Sequence, residues 1–514
     1  MATNPENAPA FSQIIRNASL LQWAIVLLTF LIARWIARGI YRVQFHPLSK
    51  FPGPKYTAFT RIPHLSALFT GTFYRWVAKL HEEYGEVVRI SPDELSFINP
   101  QAWNDAYGHG TKGTKGSRPT KHWVRYGKAV NNAPSILQAH DVDHRRMRSI
   151  FTSAFSDRAL KEMEPVFLKY VDQLVSVIRT GLSKDPERKF DMVRLYNFTA
   201  FDVMGDLTYG ESLDMLNNSE YAPWVSQVFG GMKGATRLGM VHFYPILRHI
   251  FKIVASPYIN KKRLEHLQHS VDRVDRRLKK GISTEGGDLW DLVMKQPGGK
   301  GMSRAEMDSN SSLIMIAGTE TSATATSGLT YLLLKNPDKL KKVTEELRST
   351  FARSADMTME AVAALPYLNL CVKEGLRLYP PVAGAMPRLT QADGAAICGE
   401  FVPPGTTLTV PQHATYTSER NFKDPLEYIP ERWIPSNERY ASDRKEALQP
   451  FSKGSRDCLG KNMAWHEMRL IMAKVLYNFD LTLCPESEAW SKQKAYLIWE
   501  KPPLMVQVKT YYPA

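Results

Sequence analysis

A run of 26 residues, Ser309 to Leu334, constrains the fold of this 514-residue chain more than any other feature. Its only charged residue is Glu320. A helix of this length is about 39 Å long, which is enough to cross the interior of a large globule. It could also cross a membrane, but the many Ser and Thr residues in the run argue against that alternative. The run therefore predicts a buried central helix that carries one acidic side chain.

A second apolar run lies near the N-terminus. No charged residue occurs from Asn17 to Ala33, and with Trp35 to Ala37 the stretch reaches about 20 residues, the length of a membrane span. Basic residues follow the run rather than precede it, which favours an anchor with a lumenal N-terminus over a cleaved signal peptide. Three prolines and a glycine in His46 to Pro54 indicate a stiff hinge. We therefore expect a short lumenal segment 1–17, a transmembrane anchor 18–37, a basic, Pro-rich linker 38–56 and a catalytic domain 57–514.

The globular part has the pattern of a mostly α protein with a small β-rich subdomain. Alternating apolar residues predict a hairpin over Glu86–Pro100 and a strand over Leu504–Val508. From Pro380 to Pro450, 10 of 71 residues are proline, so we expect an irregular surface segment there. Helical spacing is found in five segments: Leu160–Ile178, Tyr258–Leu278, Ser309–Leu334, Pro337–Phe351 and Leu368–Leu378.

Composition narrows the class of protein only partly. With 44% hydrophobic residues the chain can bury a large core, which excludes disorder as its main state. Its four cysteines are too few for a disulfide scaffold, and none forms a CxxC pair. The net charge of +15 fits a nucleic acid, a membrane surface or an acidic protein partner, because charge informs on association rather than fold.

One cysteine, Cys458, lies in an informative sequence. It stands just before a predicted helix, where free N–H groups and the helix dipole favour a thiolate. Gly454 permits a tight turn and Gly460 lets a flat ligand approach the backbone. A thiolate held in this way can be the axial ligand of haem iron. A single cysteine is more often a buried structural residue, but here five positions match the pattern F-x-x-G-x-R-x-C-x-G.

With this pattern the chain resembles the cytochrome P450 family, the haem-thiolate monooxygenases, over essentially everything after the anchor. The resemblance implies the P450 fold and a haem b whose iron is bound by Cys458. It also places Phe451, Arg456 and Gly460 in the haem-binding segment.

The central helix carries a second match, Ala317 to Ser322. In the family this helix passes over the distal face of the haem, so the resemblance implies that Gly318 makes room for dioxygen. It further implies that Glu320 and Thr321 relay protons to the oxygen chemistry. Taken alone, Thr321 could equally bond back to a helix carbonyl beside a surface carboxylate.

Two further matches concern binding and stability. Glu374 and Arg377 lie three residues apart on one predicted helix face, and with Arg432 they resemble the family's structural Glu-Arg-Arg network. The haem carboxylates need cations. The resemblance implies that these come from four residues: His144, Arg148, Arg388 and Arg456. At His144 the chain departs from the family's commoner tryptophan.

The expected protein is an endoplasmic-reticulum monooxygenase with a cytosolic catalytic domain. It would take electrons from NADPH-cytochrome P450 reductase, with or without cytochrome b5, and insert one atom of O2 into a small hydrophobic substrate. Two stretches, Phe451–Asn462 and Glu220–Trp224, are similar to enzymes of fungal secondary metabolism, which favours a terpenoid or polyketide. An acidic reductase would dock on basic residues, as a hypothesis: Arg145, Arg146, Lys453 and Lys461.

Several alternatives remain open. A haem-thiolate isomerase or dehydratase would not use O2, although such relatives usually lack the acid-alcohol pair found at Glu320 and Thr321. A hydroxylase that detoxifies xenobiotics would share the whole site. A haem sensor or nucleic-acid-binding protein needs no buried proton relay, and we find no aromatic-and-Arg pattern of the kind that nucleic acid requires. Residues expected to line the pocket are mostly apolar or small: Ala129–Leu137, Trp224–Phe243, Ala317 and Val382–Met386.

Overall fold

The helices account for most of the chain in the computed structural model, which describes residues 19–511 apart from 110–115, 128, 130, 221–232, 235, 238, 245–248, 250–252, 254–255, 282–288 and 296–300. In the described residues the helices are α1 (Leu20–Gln44), α2 (Lys55–Phe59), α3 (Ile62–Thr70), α4 (Phe73–Tyr84), α5 (Asp141–Ala154), α6 (Asp157–Lys184), α7 (Met192–Tyr209), α8 (Met215–Asn218), α9 (Ser256–Lys279), α10 (Leu289–Met294), α11 (Arg304–Leu334), α12 (Pro337–Thr350), α13 (Met359–Ala363), α14 (Pro366–Leu378), α15 (Gln412–Tyr416) and α16 (Lys461–Asn478).

In the part of the chain that the structure describes, three small sheets complete the fold. The strands are β1 (Val87–Ser91), β2 (Glu94–Phe97), β3 (Thr120–Lys121), β4 (Lys189–Asp191), β5 (Arg388–Leu389), β6 (Ala395–Ile397), β7 (Glu400–Val402), β8 (Thr407–Thr409), β9 (Phe479–Leu483) and β10 (Met505–Thr510). The largest sheet has the order β1-β2-β8-β5-β3, the second has the order β4-β10-β9, and β6 pairs with β7. The β1–β2 pair is antiparallel, so the predicted hairpin is confirmed, and β10 confirms the predicted C-terminal strand.

The central helix α11 lies where the sequence predicts it. Ser303 caps its N-terminus, and the Glu306 side chain returns a bond to the backbone of Ser303 to complete a capping box. Helices α7, α9, α14 and α16 pack around α11, and most of its residues from Thr319 to Leu333 are buried. A helix that is apolar on all sides needs such a surround. The alternative of a second membrane span is therefore wrong.

The N-terminal helix α1 is longer than expected. It begins after the Ser19 capping box and ends at Gln44, beyond the predicted boundary at residue 37. An 18-residue stretch of α1 has a mean hydropathy of 1.9, which together with the helix length makes α1 a candidate membrane span, and Gly39 is its one buried residue. A Cβ at Gly39 would lie 2.1 Å from the ring of Phe59, so this glycine allows the end of α1 to pack against α2.

The predicted hinge His46–Pro54 is packed against the globule. Leu48 is 0% exposed and Phe51 7% exposed, and the Arg89 N–H on β1 donates to the Pro52 carbonyl oxygen at 2.7 Å. The prolines fix the backbone as expected, but the apolar side chains between them anchor the segment to the sheet.

The Pro-rich stretch 380–450 is more ordered than its composition suggests. Strands β5 to β8 lie in it, and both Arg432 and Trp433 are buried. The expectation of an irregular surface segment is therefore wrong for much of its length. The prolines stand at turns and beside short strands, where no ladder hydrogen bond is lost.

Candidate active site

The loop that carries Cys458 is shaped by close backbone contacts. Gly454 has a φ of +81°, and a Cβ there would lie 2.1 Å from the Tyr107 carbonyl oxygen. Only glycine fits that approach. Farther along, the Cys458 N–H donates to the Phe451 carbonyl oxygen at 2.8 Å, which closes the loop and directs the chain into α16. The Phe451 ring contacts Trp465 on that helix, with the ring centroids 6.2 Å apart.

The Cys458 thiol lies inside the protein and is still accessible to solvent, as expected for a residue that lines a cavity. Burial raises the pKa of the thiol, while the Gly460 N–H that donates to it and the nearby Arg148 and Lys461 lower that pKa. A Cβ at Gly460 would have no neighbour closer than 3.8 Å. The arrangement leaves room for a flat ligand and favours a thiolate once a cation binds the sulfur.

Four nitrogen-bearing side chains form what we call the cationic cluster: Lys121, His144, Arg388 and Arg456. The first three are at most 7% exposed, and the Arg456 side chain is 6% exposed. Burial, with Arg456 and Arg388, lowers the pKa of Lys121 to about 6. Burial, with Arg456 and Lys121, lowers the pKa of His144 to about 4. These groups repel one another, so the cluster is electrostatically incomplete.

The bonds of the cluster leave most of its charge uncompensated. Lys121 Nζ donates to the Leu137 carbonyl oxygen at 2.6 Å, and Arg388 Nη1 donates to the Tyr126 hydroxyl at 3.1 Å. Among the described residues neither pairs with a carboxylate. Arg456 Nη2 pairs with Asp141 at 2.7 Å, but Arg456 Nη1 is buried without a partner. The cluster could bind the carboxylates of a cofactor.

Arg148 binds Asp457 in this structure. Its guanidinium donates to the Asp457 carbonyl oxygen at 2.8 Å and pairs with the Asp457 carboxylate. Arg148 thus holds the residue that precedes Cys458. The sequence interpretation grouped it with the cofactor-binding cations and missed Lys121, whose isolated position on a two-residue strand carries no motif.

The cavity side of α11 is marked by exposed residues in a buried helix. Ala317 is exposed and Thr321 is partly exposed, whereas Thr319, Glu320 and Ser322 are buried. The Thr321 hydroxyl donates to the Ala317 carbonyl oxygen at 2.6 Å. At Gly318 a Cβ would lie 2.7 Å from Met204 Sδ on α7. The absence of a side chain at Gly318 therefore lets α11 pack closely against α7.

Glu320 lies on an adjacent face of α11. Its side chain is 3% exposed and pairs with Lys501. Glu320 and Thr321 do not bond to each other in this structure. The predicted pair is therefore split between two directions, the alcohol toward the cavity and the acid toward the C-terminal segment.

Glu374, Arg377 and Arg432 form one buried ionic network, together with Asp443. The Glu374 carboxylate accepts from Arg377 Nε at 3.0 Å and from Arg432 Nε at 2.9 Å. Arg432 Nη1 in turn pairs with Asp443 at 2.7 Å. The Trp433 indole N–H also donates to Glu374. The sequence interpretation missed Asp443 and Trp433. We call the four charged residues the Glu374 network.

The residues fit a haem. An accessible thiol stands before a helix N-terminus, the backbone at Gly460 has open space beside it, and Arg456 Nη1 is a buried donor with no partner. A thiolate and buried cations are the groups that would bind the iron and the two carboxylates of that cofactor.

The comparisons with known proteins agree with this geometry. The cytochrome P450 family model matches residues 52–508. The cytochrome P450 monooxygenase FUM2 of Gibberella moniliformis is 46% identical over 471 residues, covering 91% of this chain and 99% of that protein. The cytochrome P450 monooxygenase efuB of Hormonema carpetanum is 46% identical over 476 residues, covering 92% and 94%. The cytochrome P450 monooxygenase lcsI of Purpureocillium lilacinum is 40% identical over 478 residues, covering 92% and 91%.

Proposed function

The chain belongs to the cytochrome P450 monooxygenase family, and on this premise we propose that it inserts one oxygen atom from O2 into a small hydrophobic substrate. The reaction would be a hydroxylation or an epoxidation in fungal secondary metabolism, on a terpenoid or polyketide. The observation that carries the proposal is the accessible Cys458 thiol beside a cationic cluster that lacks enough anions.

The residues of the Cys458 loop would hold haem b. Cys458 Sγ would bind the iron, with its charge stabilised by the Gly460 N–H. Lys121, His144, Arg388 and Arg456 would bind the carboxylates, since the cluster already supplies the cations they need. Bound there, the haem supplies dioxygen binding and reductive O–O cleavage promoted by the thiolate.

The residues of α11 would control protons and water. Ala317 leaves an apolar surface against the cavity, and Thr321 places a hydroxyl there that can donate or accept. Glu320 lies one residue away in a nearly dry environment, where a carboxylate can move a proton in a directed way. Of the other predicted lining residues, Val382–Met386 are described, whereas most of Trp224–Phe243 lies outside the described residues.

Two surface features support the membrane anchor and the redox partner that we propose. Helix α1 would hold the enzyme in the endoplasmic reticulum membrane with the catalytic domain in the cytosol. Arg145 and Lys461 are exposed near the Cys458 loop and would attract an acidic NADPH-dependent reductase. Arg146, predicted to belong to this surface, is instead neutralised by Glu306 and Asp143.

The reduced, carbon-monoxide-bound spectrum tests the cofactor assignment. We expect the red-shifted band of a thiolate-bound haem in the full-length protein and its loss in Cys458→Ser. Absence of the band in the wild-type protein would overturn the assignment. Substrate class is tested by supplying terpenoid and polyketide candidates with reductase and ¹⁸O2, and by mass detection of one incorporated oxygen atom.

A charge reversal tests the docking surface. Arg145→Glu with Lys461→Glu should slow the first electron transfer from the reductase and weaken its dependence on ionic strength, because exposed charges steer association. Lys341→Glu, at a side chain on α12 that is 75% exposed, is the matched control. Unchanged rates and salt dependence in the double variant would contradict this surface.

A further inference from the structure

The C-terminal segment Trp499–Leu504, which we call the C-terminal strap, is clamped at both ends. The Trp499 ring stacks on Tyr379 with the centroids 4.7 Å apart, and its indole N–H donates to the Pro380 carbonyl oxygen at 2.7 Å. At the other end Leu504 is 0% exposed, and its N–H donates to Asp191 at 3.0 Å. The backbone between these anchors is therefore held in a defined position over α11.

Lys501 reaches from this strap into the protein interior. Its side chain is 4% exposed, although Pro502 and Pro503 beside it are exposed. The Lys501 ammonium group contacts the Glu320 carboxylate and lies 2.5 Å from the Thr324 hydroxyl oxygen. A buried ammonium group is costly unless a carboxylate and further hydrogen bonds compensate it. Here Glu320 and Thr324, one turn apart on α11, provide both.

The pairing leaves one oxygen of the acid free. Glu320 Oε1 contacts Lys501 and accepts from Thr324 at 3.3 Å, whereas Glu320 Oε2 is buried without a partner. Among the described residues Tyr379 also faces Glu320, and the Tyr379 hydroxyl donates to Gln493 Oε1 at 2.7 Å. Lys501 is thus the cation that orients the carboxylate, and Oε2 is the atom available to a water or a proton.

We propose that Lys501 is a positioning residue: it pairs with the Glu320 carboxylate and fixes it on the strap side of α11, with Oε2 free to pass a proton through a water to Thr321. The inference rests on the proposed function. In a productive turnover, electrons from NADPH, protons, O2 and substrate give oxygenated product and water. In an unproductive turnover the same electrons and protons leave with O2 as hydrogen peroxide. Lys501 would therefore affect how much O2 yields oxygenated product and water and how much yields hydrogen peroxide, although Lys501 itself contacts neither substrate nor haem.

The alternative is a structural clip that only attaches the strap to α11. The positioning role and the structural clip predict different results when the charge of Lys501 is removed. In Lys501→Met a positioning role leaves Glu320 buried without its cation, and a buried carboxylate without a partner takes up a proton. A clip that opens lets water in, and Glu320 then stays ionised while the protein loses thermal stability.

Infrared spectroscopy of the resting holoenzyme separates these outcomes without turnover. We expect Lys501→Met to show a protonated-carboxyl C=O band in addition to any that the wild-type protein shows from Glu467. This added band should be lost in the Lys501→Met/Glu320→Gln double variant. In substrate-free turnover with reductase, O2 leaves either as hydrogen peroxide, after two electrons and two protons, or as two water molecules, after four electrons and four protons. Lys501→Met should raise the ratio of hydrogen peroxide to water roughly tenfold, because water formation needs further proton delivery. Lys501→Arg keeps the charge and should restore the wild-type ratio and spectrum.

Lys335→Met is the matched control, because Lys335 also joins α11 to the C-terminal region through Glu488 but is 37% exposed. It should alter neither readout. The Lys501 proposal is overturned if Lys501→Met shows no added carboxyl band and an unchanged peroxide ratio, with or without a lower melting temperature. Failure of the proposed function is distinguishable, since the wild-type protein would then lack the thiolate-haem spectrum altogether.

Discussion

Two of the buried ionic clusters of this protein, the Glu374 network and the cationic cluster, differ in charge balance. The Glu374 network pairs two cations with two carboxylates, and all four side chains are 0% exposed. In the cationic cluster the partner of Arg456 is Asp141, whose side chain is 67% exposed, and Lys121 and Arg388 donate to uncharged oxygens. Both clusters bury guanidinium groups, but only the first also buries the anions that neutralise them.

The difference separates structure from binding. A buried ion pair with saturated hydrogen bonds is complete, so removing one partner leaves an uncompensated charge. Buried cations without anions raise the free energy of the protein until an anion arrives. We therefore expect the Glu374 network to maintain the fold, and the cationic cluster to store binding energy for an anionic ligand. Removing a charged residue should therefore lower the stability of the protein in the Glu374 network and raise the stability of the haem-free protein in the cationic cluster.

Arg377→Ala gives the largest expected effect. The change removes both bonds to Glu374 and those to three carbonyl oxygens in the Pro-rich stretch. It should lower the free energy of unfolding by about 3–5 kcal/mol and give protein without bound haem. Urea unfolding and haem absorbance per polypeptide measure both effects.

The control for this change is Arg353→Ala, which breaks a pair on the surface, where the Arg353 side chain is 77% exposed. The unfolding midpoint and haem content of that variant should match the wild-type protein. A stable, fully haem-loaded Arg377→Ala protein would contradict the structural assignment of the Glu374 network.

Local sequence patterns predict much of this site. The spacing of Glu374 and Arg377 places them on one helix face, the glycines around Cys458 mark its loop, and the uncharged run predicts α11. These signals extend over at most one or two turns or over one continuous run, which is the range of helical periodicity.

Partners that are distant in sequence could not be predicted in this way. Lys501 meets Glu320 across 181 positions, and Arg148 meets Asp457 across 309. Lys121, on a two-residue strand, has no pattern at all. Such pairs depend on how the helices and sheets pack, and a single sequence holds no periodic signal for that packing.

Glu467 extends the comparison of buried charged groups to a carboxylate that has no partner among the described residues. It lies on α16, is 0% exposed, and neither oxygen has a hydrogen-bond partner. Burial raises the pKa of Glu467 to about 7, and the nearby Ser322 hydroxyl lowers it slightly. Since the folded protein binds this proton more tightly, the stabilisation is complete below about pH 4.5 and is lost as the pH rises to about 7. The loss is about 3 kcal/mol.

Glu467→Gln should therefore remove this part of the pH dependence. The variant should match the wild-type protein near pH 4.5 and be more stable at about pH 8, by about 3 kcal/mol in urea unfolding. Glu360→Gln is the control, because the Glu360 side chain is 83% exposed, and its unfolding curves should follow the wild type. Parallel pH profiles for Glu467→Gln and wild type would show that this carboxylate is hydrated or paired.

Lys121→Met tests whether loss of a residue from the cationic cluster stabilises the haem-free protein, opposite to the effect expected in the Glu374 network. Burial, Arg456 and Arg388 disfavour the charged form of Lys121, so removing this amine should stabilise the haem-free protein by about 1–2 kcal/mol. The same change should speed haem loss to an apoglobin scavenger about tenfold, equivalent to about 1.4 kcal/mol. Lys341→Met, at a side chain that is 75% exposed, should change neither quantity. If Lys121→Met instead destabilised the haem-free protein and left haem loss unchanged, the cationic cluster would be a second structural network. Stability gained without ligand and binding lost with it is the result that only a binding site predicts.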